Sequence, residues 1–240
     1  MNTRPAPRPA VPPLLAALPL LLLLVIASGC GDLLKQPYPA KAFFGIEPGV
    51  PEASAVAPEP STAPAGYINR DADVVATARP TGGSVMLVRP VRMAPPYDGL
   101  AFVYRDGPAA YTSDYYANFI AEPSALLTGG LTDWLDRAGP LPVVAAGSSV
   151  RPDLVLDGAV TRLLIDRTDR ARPKAVLAAR FFLTRETGSG TVVVSDTAYT
   201  TEVPATPDTP AGYAEAWGRA WRQVLQRLAE DLRSAVGRPG

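Results

Sequence analysis

The chain has 240 residues, with 23 lysines and arginines against 23 aspartates and glutamates, one cysteine and no histidine. The missing histidine excludes Ser-His-Asp and Cys-His nucleophilic sites, histidine general bases and nearly all zinc sites. The balanced charge gives no electrostatic reason to bind nucleic acid, and a lone cysteine cannot form an internal disulfide.

Residues 1–13 carry Arg4 and Arg8 and no acid, followed by an apolar run over residues 14–26 that is broken only by Pro19. Such a run is too short to span a membrane, which takes about 20 residues, but it suits a signal peptide. Ala27, Ser28 and Gly29 then precede Cys30, the pattern of a bacterial lipoprotein signal. On this reading residues 1–29 are removed and Cys30 becomes the lipidated first residue of a mature chain of 240 − 29 = 211 residues. An uncut signal anchor and an ordinary secretory signal compete with it, but the latter would leave Cys30 an unpaired thiol without a task. Acylation also removes thiol chemistry. Gly31 rather than aspartate follows the cysteine, which in the enterobacterial sorting pattern leans towards the outer membrane.

Residues 30–41 read as a polar tether. Residues 42–46, Ala-Phe-Phe-Gly-Ile, read as a short buried strand. The proline-rich stretch at 48–66 suits neither a helix nor a sheet and reads as an extended loop. Residues 84–91 read as a central strand, apolar on both faces. Residues 102–104 and 110–112 flank Arg105-Asp106-Gly107-Pro108, which is hairpin turn chemistry.

A helix is expected from Pro123 at its first position to the stop at Gly139-Pro140. Leu127, Leu131, Trp134 or Leu135, and Ala138 mark its buried face. Gly129 and Gly130 inside it cost roughly 1 kcal/mol each against alanine, so packing must compensate or a neighbour needs the room. Strands follow at 142–145, 154–165, 175–186 and 191–203, the last three as an antiparallel meander. Thr209-Pro210 opens the final helix. Tyr213, Trp217, Trp221, Val224, Leu228 and Leu232 form its apolar stripe. That stripe reads as core rather than a ligand platform. The order predicts an α+β fold: a mainly antiparallel sheet with two amphipathic helices packed on one face, preceded by the signal peptide and a flexible tether, with the domain at 42–236 and a tail at 237–240.

The nearest acidic cluster, Asp153, Asp157, Asp166 and Asp169, with Glu122 isolated, is the candidate for paired-carboxylate chemistry of the glycosidase kind. Solvated charges beside a strand and in a turn explain it better. The tyrosines and phenylalanine between residues 97 and 119, namely Tyr97, Tyr104, Tyr111, Tyr115, Tyr116 and Phe119, form the candidate interaction surface, because aromatic side chains are favoured at interfaces. Core packing is the expectation for most of them.

Four stretches together resemble the ABC-type transport auxiliary lipoproteins, periplasmic partners of mammalian-cell-entry (MCE) type lipid transport systems. They are the lipobox cysteine followed by the aromatic strand of residues 41–48, the strand of residues 85–92, Tyr104 and Tyr111 with the aromatic lead of residues 114–123 into a helix, and the meander closed by an aromatic amphipathic helix. The resemblance implies a non-enzymatic accessory lipoprotein without cofactor. Its partners would be the membrane, through the lipid anchor, and MCE-type or ABC transporter subunits. Self-association stays open, and so does the competing reading of a cell-envelope scaffold or assembly lipoprotein unrelated to transport.

Overall fold

The computed structural model describes residues 40–51 and 84–237. The signal peptide, Cys30, most of the tether, the greater part of the proline-rich stretch and the last three residues lie outside them. Among the described residues nine strands and two helices follow in order: β1 (Ala42–Phe44), β2 (Met86–Val88), β3 (Arg92–Met93), β4 (Ala101–Arg105), β5 (Tyr111–Phe119), α1 (Pro123–Ala138), β6 (Val143–Ala145), β7 (Leu154–Asp166), β8 (Lys174–Thr187), β9 (Gly190–Pro204) and α2 (Pro210–Val236). A 3-10 turn, Pro95–Tyr97, links β3 to β4.

The organising strand is β7. One of its edges carries the expected meander, antiparallel to β8 along its whole length, with β9 antiparallel to β8 beyond. The other edge is shared end to end by three short strands. Leu154–Leu156 takes β2, Ala159–Val160 takes β3 and Ile165–Asp166 takes the end of β4, all parallel. Outside these, β6 is parallel to β2, β5 antiparallel to β4, and β1 parallel to β5.

Five of the eight pairings are therefore parallel, which corrects the expectation of a mainly antiparallel sheet. The reason is topological. Each parallel pair joins segments separated by a helix, a hairpin or a long connection, so no local turn signal announces it.

Two strand expectations are also corrected. Residues 84–91 do not run through as one strand, because Pro90 has no N–H to give to β7. Arg89 N–H still donates to Leu156 O at 3.0 Å, Val91 N–H turns to Thr128 Oγ1 of α1 at 2.9 Å, and Ala94 N–H returns to Val160 O at 2.9 Å. The segment of residues 42–46 contributes only a three-residue edge strand, in which Phe43 points to solvent (57% exposed) while Phe44 and Ile46 turn inward.

Both helices form where their sequence signals stand. Pro123 opens α1, Gly139 N–H closes it on Leu135 O at 2.8 Å, and Leu127, Leu131, Trp134 and Leu135 are buried. Thr209 caps α2 through its side chain, which accepts from Gly212 N–H at 3.2 Å. The stripe from Tyr213 to Leu232 is core, with Trp217 and Trp221 fully buried. Trp217 meets Phe102 edge-on at 4.7 Å and Phe119 at 5.2 Å, while Phe44 lies 5.4 Å from Phe102. One aromatic cluster thus joins β1, β4, β5 and α2.

A strap of chain after β1 completes this core. Residues 45–51 run against both helices, with Ile46 buried. A Cβ at Gly218 of α2 would be driven into the backbone carbonyl of Glu47, and one at Gly130 of α1 would lie 3.1 Å from Trp221 Nε1 and 3.3 Å from Pro48 Cγ. Arg222 Nε donates to Pro48 O. The room demanded by Gly130 is therefore real, whereas a Cβ at Gly129 would meet nothing within 4 Å.

Candidate functional site

The candidate surface is built on an irregularity of the β4–β5 hairpin. Ala101 pairs with Asn118 and Val103 with Ser113, so two steps along β4 correspond to five along β5. The three extra residues form a bulge, and Asp114 organises it. Its carboxylate accepts from Tyr116 N–H at 2.8 Å, from Ala117 N–H at 3.0 Å and from the buried Tyr104 hydroxyl at 2.6 Å. Asn118 Nδ2 closes the bulge on Tyr115 O at 3.2 Å. A bulge re-aims side chains, and here it pushes Tyr115 and Tyr116 into solvent (68% and 39% exposed), their rings edge to face at 5.1 Å. Lys41, just before β1, places its ammonium 4.3 Å from the Tyr115 ring centre.

The six aromatic residues singled out from the sequence therefore divide. Tyr115, Tyr116 and Tyr111 (52% exposed) face solvent. Tyr104 and Phe119 are core, on the helix side of the sheet, and Tyr97 is buried in the 3-10 turn. Tyr97 and Tyr111 nonetheless edge one groove of about 580 Å³, floored by Ala101 and Val103, the β4 residues that alternate with core-facing Phe102 and Tyr104. Phe43, Leu100 (43% exposed) and Ile120 (67% exposed) extend the apolar surface along the same edge. Sequence reasoning passed over these three. The alternation of Phe43 with Phe44 on a strand was the available signal for the first of them.

Beneath this surface lies a layer of ion pairs. Arg105 pairs with Asp166, and Arg167 reaches Asp106 at 2.8 Å while stacking 3.9 Å over the Tyr104 ring. The Arg105 hydrogen bond holds Asp166 well below the usual carboxylate range. Hydrogen bonding from Thr112, with Arg167 adding to it, lowers Asp106. For Asp114, burial is the largest single influence and pushes upward, but the bonds from Tyr104 and from the Ala117 and Tyr116 N–H groups together outweigh it and leave it lowered. Burial and the Asp208 carboxylate push the Tyr213 hydroxyl up to about 12.

The four clustered aspartates weighed for catalysis are each engaged. Asp153 accepts from Val85 N–H at 2.8 Å, Asp157 pairs with Arg89 at 3.2 Å, Asp166 with Arg105, and Asp169 with Arg172 at 2.8 Å. Asp157 and Asp166 lie within β7 rather than in a turn. Among the described residues, no three acidic, cysteine or histidine side chains gather as a metal site, and no helix is long and apolar enough to cross a membrane. Cys30 lies outside the described residues.

Residues 70–229 match the family model described as ABC-type transport auxiliary lipoprotein component. Among solved structures, protein XCC0632 from Xanthomonas campestris, of the family DUF330, is 20% identical with a TM-score of 0.56, over 63% of this chain and 84% of that one. An uncharacterized protein is 15% identical with a TM-score of 0.53, over 62% of this chain and 92% of that one. These likenesses bear on the fold alone. No curated protein matches the chain.

Proposed function

We propose, from the premise that this chain belongs to the family of ABC-type transport auxiliary lipoprotein components, that it is a non-enzymatic accessory subunit held at the periplasmic face of a bacterial membrane by acylated Cys30. The transporter it serves is of the MCE type and carries lipid across the cell envelope. Gly31 after the cysteine favours the outer membrane as the anchoring side. The family match begins downstream of Cys30, so the anchor rests on the signal pattern and the transporter class on the resemblance.

The observation that carries a binding role is the bulge of β5. Three extra residues, braced by a carboxylate with three donors, hold two tyrosines outward beside a three-residue edge strand. Tyrosines on a rigid support are favoured contact residues. The partner surface comprises Tyr111, Tyr115 and Tyr116 with Phe43 and Ile120; Tyr97 contributes at the groove, whereas Tyr104 and Phe119 support it from within.

Purification of the tagged chain from native membranes in gentle detergent tests this reading. Permease, ATPase or MCE subunits should co-purify with the wild type and drop out with Tyr115→Ala/Tyr116→Ala. Recovery of the chain without any transporter subunit would refute it.

A further inference from the structure

The sheet ends in an open edge at β9. This strand runs for fifteen residues, antiparallel to β8, and no strand lies beyond it among the described residues. In such a ladder every second residue turns its N–H and C=O away from the neighbouring strand. Across residues 191–203 those groups meet no other described backbone. A long edge recruits a further strand unless proline, lysine or a covering segment blunts it. Residues 191–203 contain neither proline nor lysine, and Val192 and Val193 are exposed. The two acids of this stretch, Asp196 and Glu202, are held by Arg180 and Lys174 of β8.

The strand that best matches this edge is β9 itself. The other outer strands, β1 and β6, have three residues each. Facing residues of an antiparallel pair must lie on the same side of the sheet. A two-fold axis at Thr197 meets that condition along the whole strand. It sets Asp196 against Ala198 and Ser195 against Tyr199. Val194 is the extra residue of a bulge, since Ser195 pairs with Leu183 and Val193 with Thr184. Beyond the bulge, which both copies carry, Val193 therefore meets Thr200, Val192 meets Thr201 and Thr191 meets Glu202. No charge faces a like charge. The outer half of β9, exposed on both faces, comes to lie beside the half that rests on α2, where Tyr199, Thr201 and Val203 are buried. Near the axis the Tyr199 hydroxyl donates to Asp231 of α2 at 2.6 Å. Arg227 stands one turn earlier on that helix, so each copy brings a base and an acid to the join.

We propose that two copies of the chain pair through β9, antiparallel about Thr197, into one continuous sheet. The tyrosine surface stays free for another partner, because β4, β5 and β1 lie on the opposite edge of β7 from β8 and β9. The inference needs neither the anchor nor the transporter.

Cysteine cross-linking in native membranes tests the pairing and its register. Every variant keeps Cys30, so the wild-type chain sets the background. Facing Cα atoms of an antiparallel pair lie about 4.5–5.5 Å apart, within disulfide reach. Mild oxidation should therefore join Thr197→Cys into a dimer, and Val193→Cys/Thr200→Cys likewise. Val193→Cys alone should stay at background, because its two copies stand about 20 Å apart. Adding Val193→Lys to Thr197→Cys should cut the dimer about tenfold or more. The unfolding midpoint should not move, since that side chain is exposed in the single copy. Background cross-linking of either Thr197→Cys or the double cysteine variant in a folded chain would overturn the pairing. Linkage of Val193→Cys as strong as that of Thr197→Cys, or a dimer yield that the lysine leaves unchanged, would overturn it too. Where Thr197→Cys fails to fold, the double cysteine variant decides alone.

Discussion

Replacing Gly218 with alanine puts one methyl group into the contact between α2 and the strap that follows β1. The new Cβ would be driven into the Glu47 carbonyl oxygen, a backbone atom that cannot rotate away. Two responses are open. If the strap stays, overpacking costs about 1–3 kcal/mol. If it lifts, Ile46, now 3% exposed, loses roughly 2 kcal/mol of burial, and the charged hydrogen bond from Arg222 to Pro48 O costs roughly another 1.5 kcal/mol. Alanine recovers about 1 kcal/mol of helix propensity. The cheaper response, overpacking, sets the result, a net loss of about 1 kcal/mol. Urea unfolding followed by far-ultraviolet circular dichroism should show a midpoint lowered by about 0.5 M at an ordinary slope. An unchanged or raised midpoint would refute the reasoning, since it would mean that the strap does not occupy the space Gly218 leaves. Hydrogen exchange would also separate the two responses: amides 45–50 lose protection only if the strap lifts.

Gly129→Ala, one position from a glycine that does make room, should instead raise stability by about 0.5–1 kcal/mol, because its Cβ meets nothing; a lower urea midpoint would contradict this. Asp114→Asn should cost roughly 1–2 kcal/mol at neutral pH through the weakened bonds to Tyr104, Tyr116 and Ala117. Asp114 titrates lower folded than unfolded, so its stabilisation is present above about pH 4 and is lost as pH falls through the folded value. The variant's stability should accordingly fall less steeply in acid, though not flatly, since Asp106 and Asp166 are lowered too. Parallel acid limbs for the two proteins would count against that role. Tyr115→Ala/Tyr116→Ala should leave the unfolding midpoint within experimental error while removing co-purified transporter subunits. A large drop in stability would mean that the two rings hold the fold rather than face a partner.

The elements written in local patterns were legible. The stripe of α2, the Pro123 start and Gly139 stop of α1, and the meander of β7, β8 and β9 all follow from spacing and turn residues within their own segments. The pairing of β2, β3 and β4 along one edge of β7 was not legible, because it joins segments some 60 or more residues apart and depends on where the chain crosses over. Pro90 held a readable signal that the apolar run around it concealed: a residue without an N–H sits where an inner strand must donate. At the candidate surface, residue type alone could not separate Tyr104 and Phe119 from Tyr115 and Tyr116. The separation comes from a three-residue slip organised by one aspartate, and alternation counted through the slip assigns the wrong faces. Asp114 is an unremarkable residue in the sequence; only the geometry identifies it as the brace.

Partner access and cellular address both follow from an acylated cysteine at position 30. Metabolic labelling with a palmitate analogue, followed by mass analysis of the N-terminal peptide, tests it directly. The expected result is a mature chain that begins at Cys30 and carries label, with neither cleavage at that site nor label in Cys30→Ala. Equal labelling of the two chains, or an unmodified cysteine in the mature wild type, would contradict it.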